Sequence, residues 1–78
     1  MKKIKLYLKT ALFSVRGSDT IPNATLIVEG QLIEQQSGGW LIKAERYYSI
    51  KNEALEGESC QLFIPMSKID HARMLDAQ

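Results

Sequence analysis

The chain has 78 residues, with ten basic and nine acidic side chains and a formal net charge of +1. So short a chain makes one domain, residues 1–78, with a thin hydrophobic core. Its near-neutral charge is not that of a protein that coats nucleic acid by charge alone, although it allows a basic patch on one face. With a single cysteine, Cys60, and a single histidine, His71, the chain has neither an intrachain disulfide nor the makings of a His/Cys metal site.

Cysteine usage and hydropathy predict a cytoplasmic protein with no membrane segment. Charged residues interrupt the apolar runs near the start of the chain, at Lys5, Lys9 and Arg16. We therefore expect the protein to work in reducing, aqueous surroundings, without a cofactor or a bound metal.

The first predicted element is a strand that ends near Gly17. Apolar residues occupy every second position, with lysines and a tyrosine between them: Ile4, Leu6 and Leu8 against Lys3, Lys5, Tyr7 and Lys9. Helical spacing would also place Leu8 and Leu12 beside Ile4, but the alternation resumes at Phe13 and Val15 and favours a strand. Residues 17–23 (GSDTIPN) contain turn formers and are predicted to form a loop.

Two longer strands are predicted on either side of a turn at Ser37-Gly38-Gly39. The first runs from Thr25 to Gln36, and a glycine inside it, Gly30, is expected to mark a sharp bend, a bulge or a close approach of another backbone. The second runs from Trp40 to Lys51. Its adjacent tyrosines, Tyr47 and Tyr48, must point to opposite faces, one to the core and one to the surface or an interface.

The C-terminal part of the chain reads as a surface loop followed by two short strands. The charged stretch from Lys51 to Ser59 is predicted to be a loop or a frayed hairpin end. Cys60 to Ile64 is a short apolar strand, and Pro65 ends its ladder. A last strand is predicted within Met66 to Leu75, with residues 76–78 as a disordered tail. The sequence thus predicts an all-β fold, a strongly bent, antiparallel, open barrel of five strands.

An open barrel of this size leaves strands with unpaired backbone groups at its borders. A short, apolar, lightly charged strand such as Cys60 to Ile64 invites pairing with another chain. One solution is a head-to-tail contact between identical subunits, which closes into a ring where the rotation allows and supplies missing core burial. The alternative is a monomer whose border is shielded by residues 51–59.

Two stretches resemble the motifs of the Sm/LSm superfamily, which includes bacterial Hfq. The first, VEGQLIEQQSGGWLIKA, places Gly30 and Leu32 where that family has a glycine and an apolar residue in its bent strand. The second, LFIPMSKIDHARML, places Ile64 and Ile69 across the last two strands. The chain departs from the family at the loop after the second strand, and Pro65-Met66 replaces the Arg-Gly of archaeal and eukaryotic members.

The resemblance implies a homo-oligomeric ring of about five to seven subunits whose pore-facing loops hold single-stranded RNA without catalysis. In this chain those loops are residues 36–40 and 65–68. Trp40 would stack on bases, glutamines would read base edges and Lys68 would contact phosphate; the same tryptophan could instead pack in the core, and the lysine could be an ordinary solvated side chain. The candidate RNA-binding residues are Gln36, Ser37, Trp40, Pro65, Ser67 and Lys68.

Other functions remain open at the level of sequence. The departures from the family motifs favour, as an alternative, an oligomeric scaffold or protein-interaction module that lacks the RNA pocket, and another small barrel such as an OB-type nucleic-acid binder is a third possibility. The strip Lys3, Lys5, Tyr7 and Lys9 suits a phosphate backbone, or is simply a soluble border protected by lysines. A Cys60–His71 nucleophile pair is disfavoured against a buried cysteine and a surface histidine, and no phosphate loop is present, so the sequence predicts no enzyme.

Overall fold

A computed structural model describes residues 2–12, 22 and 24–75. In this part of the chain the backbone forms strands and one 3-10 turn, with no α-helix. The elements in chain order are β1 (Lys2–Leu12), β2 (Thr25–Gln36), β3 (Gly39–Tyr48), β4 (Ala54–Leu55), β5 (Cys60–Pro65), the 3-10 turn Met66–Lys68, and β6 (Ile69–Met74). The predicted all-β class is confirmed, whereas the rest of the predicted first strand after Leu12, the loop at 17–23 apart from Pro22, and the tail at 76–78 lie outside the described residues.

The strands form one open, antiparallel sheet. Its hydrogen-bonded order is β4-β3-β2-β1-β6, and β5 pairs with the same edge of β3 as β4 does. The two short strands use different parts of that edge: β4 lies opposite Tyr47 and Tyr48, and β5 lies opposite residues 39–44. The path of the sheet therefore ends at two different strands, β6 at one end and β5 with β4 at the other.

The hydrophobic core lies on one face of the bent sheet. Alternate residues of β1 are buried, as the period of two predicts. Of the side chains that the structure describes, Tyr47 is the largest that is fully buried, and Tyr48 lies half-buried on the opposite face. The core is completed by residues from most strands: Ile4, Leu6, Leu8, Val28, Leu32, Ile42, Ala44, Tyr47, Ile64 and Ile69.

Gly30 lies where the backbones of β2 and β3 come closest. The register of the two strands shifts between Glu29 and Gly30, so that β3 carries an extra residue there. A Cβ atom at Gly30 would lie 1.9 Å from the carbonyl oxygen of Lys43. This oxygen belongs to the backbone, so it cannot move aside as the end of a flexible side chain could. The bulge and the close approach expected of this glycine are both present.

Two sequence predictions about the later strands are wrong, and a third is confirmed. The predicted third strand, Trp40 to Lys51, ends at Tyr48, because the chain turns at Ser49, whose carbonyl accepts the Asn52 N–H at 2.8 Å. After this turn the chain runs back beside β3 and forms β4, so the part of the chain that the structure describes has a sheet of six strands rather than five. The last strand predicted within Met66 to Leu75 is present as β6, and it follows the 3-10 turn that residues 66–68 form after Pro65.

Candidate functional site

The two loops that the sequence assigns to RNA binding lie against each other. Met66 N–H donates to the Gly38 carbonyl at 3.0 Å, and Pro65 is the register partner of Gly39. The contact depends on the missing side chain of Gly39, since a Cβ atom there would lie 2.4 Å from the Ile64 carbonyl oxygen and 2.7 Å from the Phe63 ring. The tight turn itself consists of Ser37 and Gly38, and Gly39 begins β3.

Four of the six candidate residues are exposed on these loops. Ser37, Pro65 and Ser67 are open to solvent, and so is Gln36, whose amide donates to the Glu34 carboxylate at 3.3 Å. Together they present hydroxyls and an amide, the groups that read base edges. They carry no positive charge.

The other two candidates are engaged elsewhere in the fold. Trp40 is partly buried and packs against the core, opposite Ile64 of β5. The Lys68 ammonium donates to the Thr10 hydroxyl near the end of β1, and the side chain is half-buried. Trp40 thus has the packing that the sequence left open as its alternative role, whereas Lys68 makes a hydrogen bond to β1 that the sequence did not predict.

Cys60 and His71 are on opposite faces of the sheet. The Cys60 Sγ atom lies 3.4 Å from the hydroxyl of the buried Tyr47, on the core side. Burial, together with this contact, raises the pKa of the Tyr47 hydroxyl well above its ordinary value. His71 faces outward against the ring of Tyr7. The described contacts therefore do not pair this thiol with this imidazole.

The outer face of the sheet carries a row of aromatic rings and a lysine that sequence reasoning recognised only in part. The rings of Tyr7 and His71 are stacked, with centroids 4.3 Å apart and planes 8° from parallel. The Lys5 ammonium lies 6.0 Å from the Tyr7 centroid and 5.0 Å from the Tyr48 centroid. We call these four residues the aromatic column: Tyr48, Lys5, Tyr7 and His71.

The column is held by polar contacts at both ends. The Tyr48 hydroxyl donates to Glu29 Oε1 at 3.1 Å, and Lys5 donates to the Asn52 side-chain oxygen at 3.3 Å. At the other end, His71 Nδ1 lies 2.9 Å from Asp70 Oδ2. A shallow cleft of about 330 Å³ lies beside the column and is lined by Tyr7, Leu8, Lys9, Leu26, Ile27, Ile50, Asp70 and His71.

Cross-strand register adds cations to the strip of lysines seen in β1. Lys5 lies between Arg73 of β6 and Glu29 of β2, and Glu29 in turn lies opposite Arg46 of β3. Paired residues of neighbouring antiparallel strands point to the same face. The outer face therefore gathers the following basic side chains, which we call the cationic rows: Lys3, Lys5, Lys43, Arg46 and Arg73.

Both ends of the sheet expose backbone hydrogen-bonding groups at alternate residues. The bond from Leu75 N–H to the Lys3 carbonyl fixes the alternation between β1 and β6. It directs the N–H and C=O groups of Ala72 and Met74 away from β1. The bond from Met66 N–H to Gly38 likewise directs the backbone groups of Gln61 and Phe63 away from β3.

Within residues 2–12, 22 and 24–75, no group of three or more His, Cys, Asp or Glu side chains could hold a metal ion, and no helix is long and apolar enough to cross a membrane. Comparison with family models, curated proteins and solved structures finds no match.

Proposed function

We propose that the chain assembles head to tail into a Sm-like ring, in which the free border of β5 pairs with the free border of β6 of the next copy. The observation that carries the proposal is that the sheet ends at two different strands, each with outward-facing backbone groups two residues apart. Two unlike borders on one molecule favour a repeating contact between copies over a contact of one border with itself.

Apolar side chains at the two borders support the same assembly. Among the described residues, three of the four exposed large hydrophobic side chains belong to β5, β6 or the turn between them: Phe63 at 48%, Met66 at 44% and Met74 at 50%. An unpaired border with exposed apolar side chains is an aggregation hazard unless another chain covers it. A neighbouring subunit would cover these side chains and add to a thin core.

We further propose that the assembled ring holds single-stranded RNA at the two contacting loops, residues 36–40 and 65–68. Each subunit would contribute hydroxyl and amide groups from Gln36, Ser37 and Ser67. Repetition around a ring multiplies weak contacts into useful affinity. The loops would act by binding and would perform no chemistry.

The second candidate function is a ring that serves as a scaffold and binds no RNA at these loops. Two observations favour it: Trp40 packs against the core, and Lys68 donates to Thr10. These contacts remove from the loops the one ring and the one cation that the sequence assigned to RNA. Both candidate functions share the ring and differ only in what the loops bind.

Proline substitutions on the outward-facing positions test the ring. Gln61→Pro and Ala72→Pro each remove one outward N–H group and leave the bonds to the neighbouring strand of the same chain in place. Light scattering after size-exclusion chromatography should find a closed oligomer for the unmodified chain and monomers for each variant. Circular dichroism shows that each variant is folded.

Mixing the two variants gives the decisive measurement. Gln61→Pro keeps an intact β6 border and Ala72→Pro keeps an intact β5 border, so an equimolar mixture should form a one-to-one dimer and no ring. A monomeric unmodified chain at micromolar concentration, or a mixture that remains monomeric beside an intact ring, would refute the assembly.

Fluorescence anisotropy with labelled hexauridylate and hexaadenylate tests the loops. Ser37→Asp and Ser67→Asp place negative charges where RNA would lie, and Ser59→Asp is the control on an exposed residue elsewhere. RNA binding that both loop variants weaken and the control leaves unchanged supports the RNA-binding ring. A ring whose affinity for RNA is unchanged by the loop substitutions supports the scaffold.

A further inference from the structure

The outer face of the sheet is more basic and more aromatic than the composition of the chain suggests. Although the net charge is only +1, basic and acidic residues are concentrated in different parts of the molecule. The cationic rows gather five of the ten basic residues on one face, whereas acidic residues accumulate in the connection from β3 to β5, at Glu53, Glu56 and Glu58. The separation is set by register between strands distant in sequence, so it is a property of the fold.

Three acidic groups share the outer face with these five cations, and each of the three is held by a neighbouring polar side chain. Glu29 accepts a hydrogen bond from Tyr48, Asp70 lies against His71, and Glu45 accepts one from Gln31. Three of the cations, Lys43, Arg46 and Arg73, make no hydrogen bond or ion pair with any residue that the structure describes. These three guanidinium and ammonium groups are available to an anionic ligand.

The aromatic column ends at a ring that is exposed to solvent, that of His71. The Lys5 ammonium lies 5.0 Å from the Tyr48 centroid and 6.0 Å from the Tyr7 centroid, and the Tyr7 ring stacks on that of His71. The His71 side chain is 58% exposed. A stack of flat groups that stops at an exposed imidazole offers a surface on which one more flat ring can lie.

We propose that this outer face is a second binding surface, for single-stranded nucleic acid, with bases on the His71 end of the aromatic column and phosphates on the cationic rows. It shares its ligand class with the proposed loop site, but it uses other residues and does not require the ring. The cleft beside the column, with Tyr7 and Ile27 in its lining and Lys9 nearby, has room for a base that has left the stack.

The combination of rings and cations favours nucleic acid over other anionic partners. An acidic peptide would use the cations but would gain nothing from an exposed stack. Single-stranded nucleic acids use both, since bases stack on aromatic side chains while lysine and arginine bind the backbone. The borders of β5 and β6 that would form the ring are also separate from the outer face. A strand of a neighbouring copy would pair in the plane of the sheet and leave the outer face accessible.

Charge removal on the face tests the phosphate contacts. Lys43→Gln and Arg73→Gln should each weaken the binding of labelled hexauridylate and hexaadenylate, and should each lower the slope of log affinity against log salt by about 0.7. Lys2→Gln is the matched control, because it removes the same charge from the opposite side of β1. The control slope should stay within error of that of the unmodified chain.

Removal of the exposed His71 ring tests the stacking contact. His71→Ala should reduce affinity at pH 8 by about five-fold or more, and His71→Phe should retain it. In the unmodified chain, nuclear magnetic resonance should show upfield shifts of the His71 and Tyr7 ring protons when the oligonucleotide is added. A histidine that only supported the strand would give neither the shifts nor the rescue by phenylalanine.

The same panel separates this inference from the proposed loop function. Binding that is lost in Ser37→Asp and Ser67→Asp but unchanged in the face variants overturns the outer-face site and leaves the loop site standing. Binding lost only in the face variants supports the outer-face site and overturns the loop site. Polyglutamate that competes as well as the oligonucleotide, with no effect of His71→Ala, shows a peptide-type anion surface and overturns the inference.

Discussion

The two faces of the same sheet differ in what their residues do. Within β1, Ile4 and Leu6 are completely buried, whereas their neighbours Lys3 and Lys5 belong to the cationic rows. Burial of the apolar face supplies the free energy of folding. The exposed cations of the outer face contribute little to that free energy, so they are available for binding, and their substitution can be interpreted without a large change in stability.

The largest expected effect of a single substitution comes from Gly30, where the buried side of β2 touches backbone. Gly30→Ala would place a carbon 1.9 Å from the Lys43 carbonyl oxygen, and the strands would have to separate. We expect a loss of more than about 4 kcal/mol, which a domain of this size cannot spare. Circular dichroism should show an unfolded or molten chain at 25 °C.

Gly38→Ala provides the control for that prediction. Beyond Gly38 and its two chain neighbours, no heavy atom of the described residues lies within 4 Å of the Cβ position at Gly38, although this glycine is in the turn of the same hairpin. Its thermal transition should match that of the unmodified chain within a few degrees. Similar transitions for the two variants would show that the β2–β3 bulge is less tightly packed than the structure indicates.

Adjacent residues of β3 give a direct comparison of the two faces. Ile42 is fully buried and Lys43 is exposed. Ile42→Ala should cost about 2–5 kcal/mol, because it removes buried carbons and leaves a cavity, whereas Lys43→Ala should stay within about 0.5 kcal/mol. Urea unfolding at a single protein concentration measures both, since assembly would make stability depend on concentration. Equal losses would contradict the assignment of the two faces.

The sequence predicts the buried face better than the outer one, for a physical reason. Alternation within one segment is a local signal, so β2 has the predicted limits, Thr25 to Gln36, and Gly30 is recognised from its position inside that pattern. The 3-10 turn at Met66–Lys68 depends on a bond to Gly38, almost thirty residues away, and leaves no local signal.

The candidate sites depend on the same kind of distant pairing. The lysines of β1 are visible in sequence, but Arg73 and His71 join them only because β6 pairs with β1 in one register, with an irregularity between Tyr7 and Leu8. Without the strand order, the lysines of β1 look like an ordinary solvent-exposed surface. Only the resemblance to a family predicts that the loops at 36–40 and 65–68 lie together. No pattern in the residues themselves predicts it.

A smaller loss of stability than that of Ile42→Ala is expected at Tyr47, which faces the core while its neighbour Tyr48 faces outward. The Tyr47 hydroxyl donates to the Glu58 carbonyl at 2.8 Å and so ties the charged connection to β3. Tyr47→Phe should cost about 0.5–1.5 kcal/mol at pH 7, the usual net value of such a bond. Tyr48→Phe removes a more exposed hydroxyl and should cost less.

The pH dependence distinguishes Tyr47 from an ordinary packing residue. Burial raises the pKa of its hydroxyl in the folded chain above the value of about 10 expected when the chain is unfolded. Above that pH the unfolded chain loses the proton while the folded chain keeps it, so the free energy of unfolding should fall by up to about 1.4 kcal/mol per pH unit from this group. Tyr47→Phe should flatten this alkaline slope in urea unfolding between pH 9 and 11. An unchanged slope would mean that the hydroxyl is open to solvent, and that the connection from β3 to β5 does not close over the core as its hydrogen bond indicates.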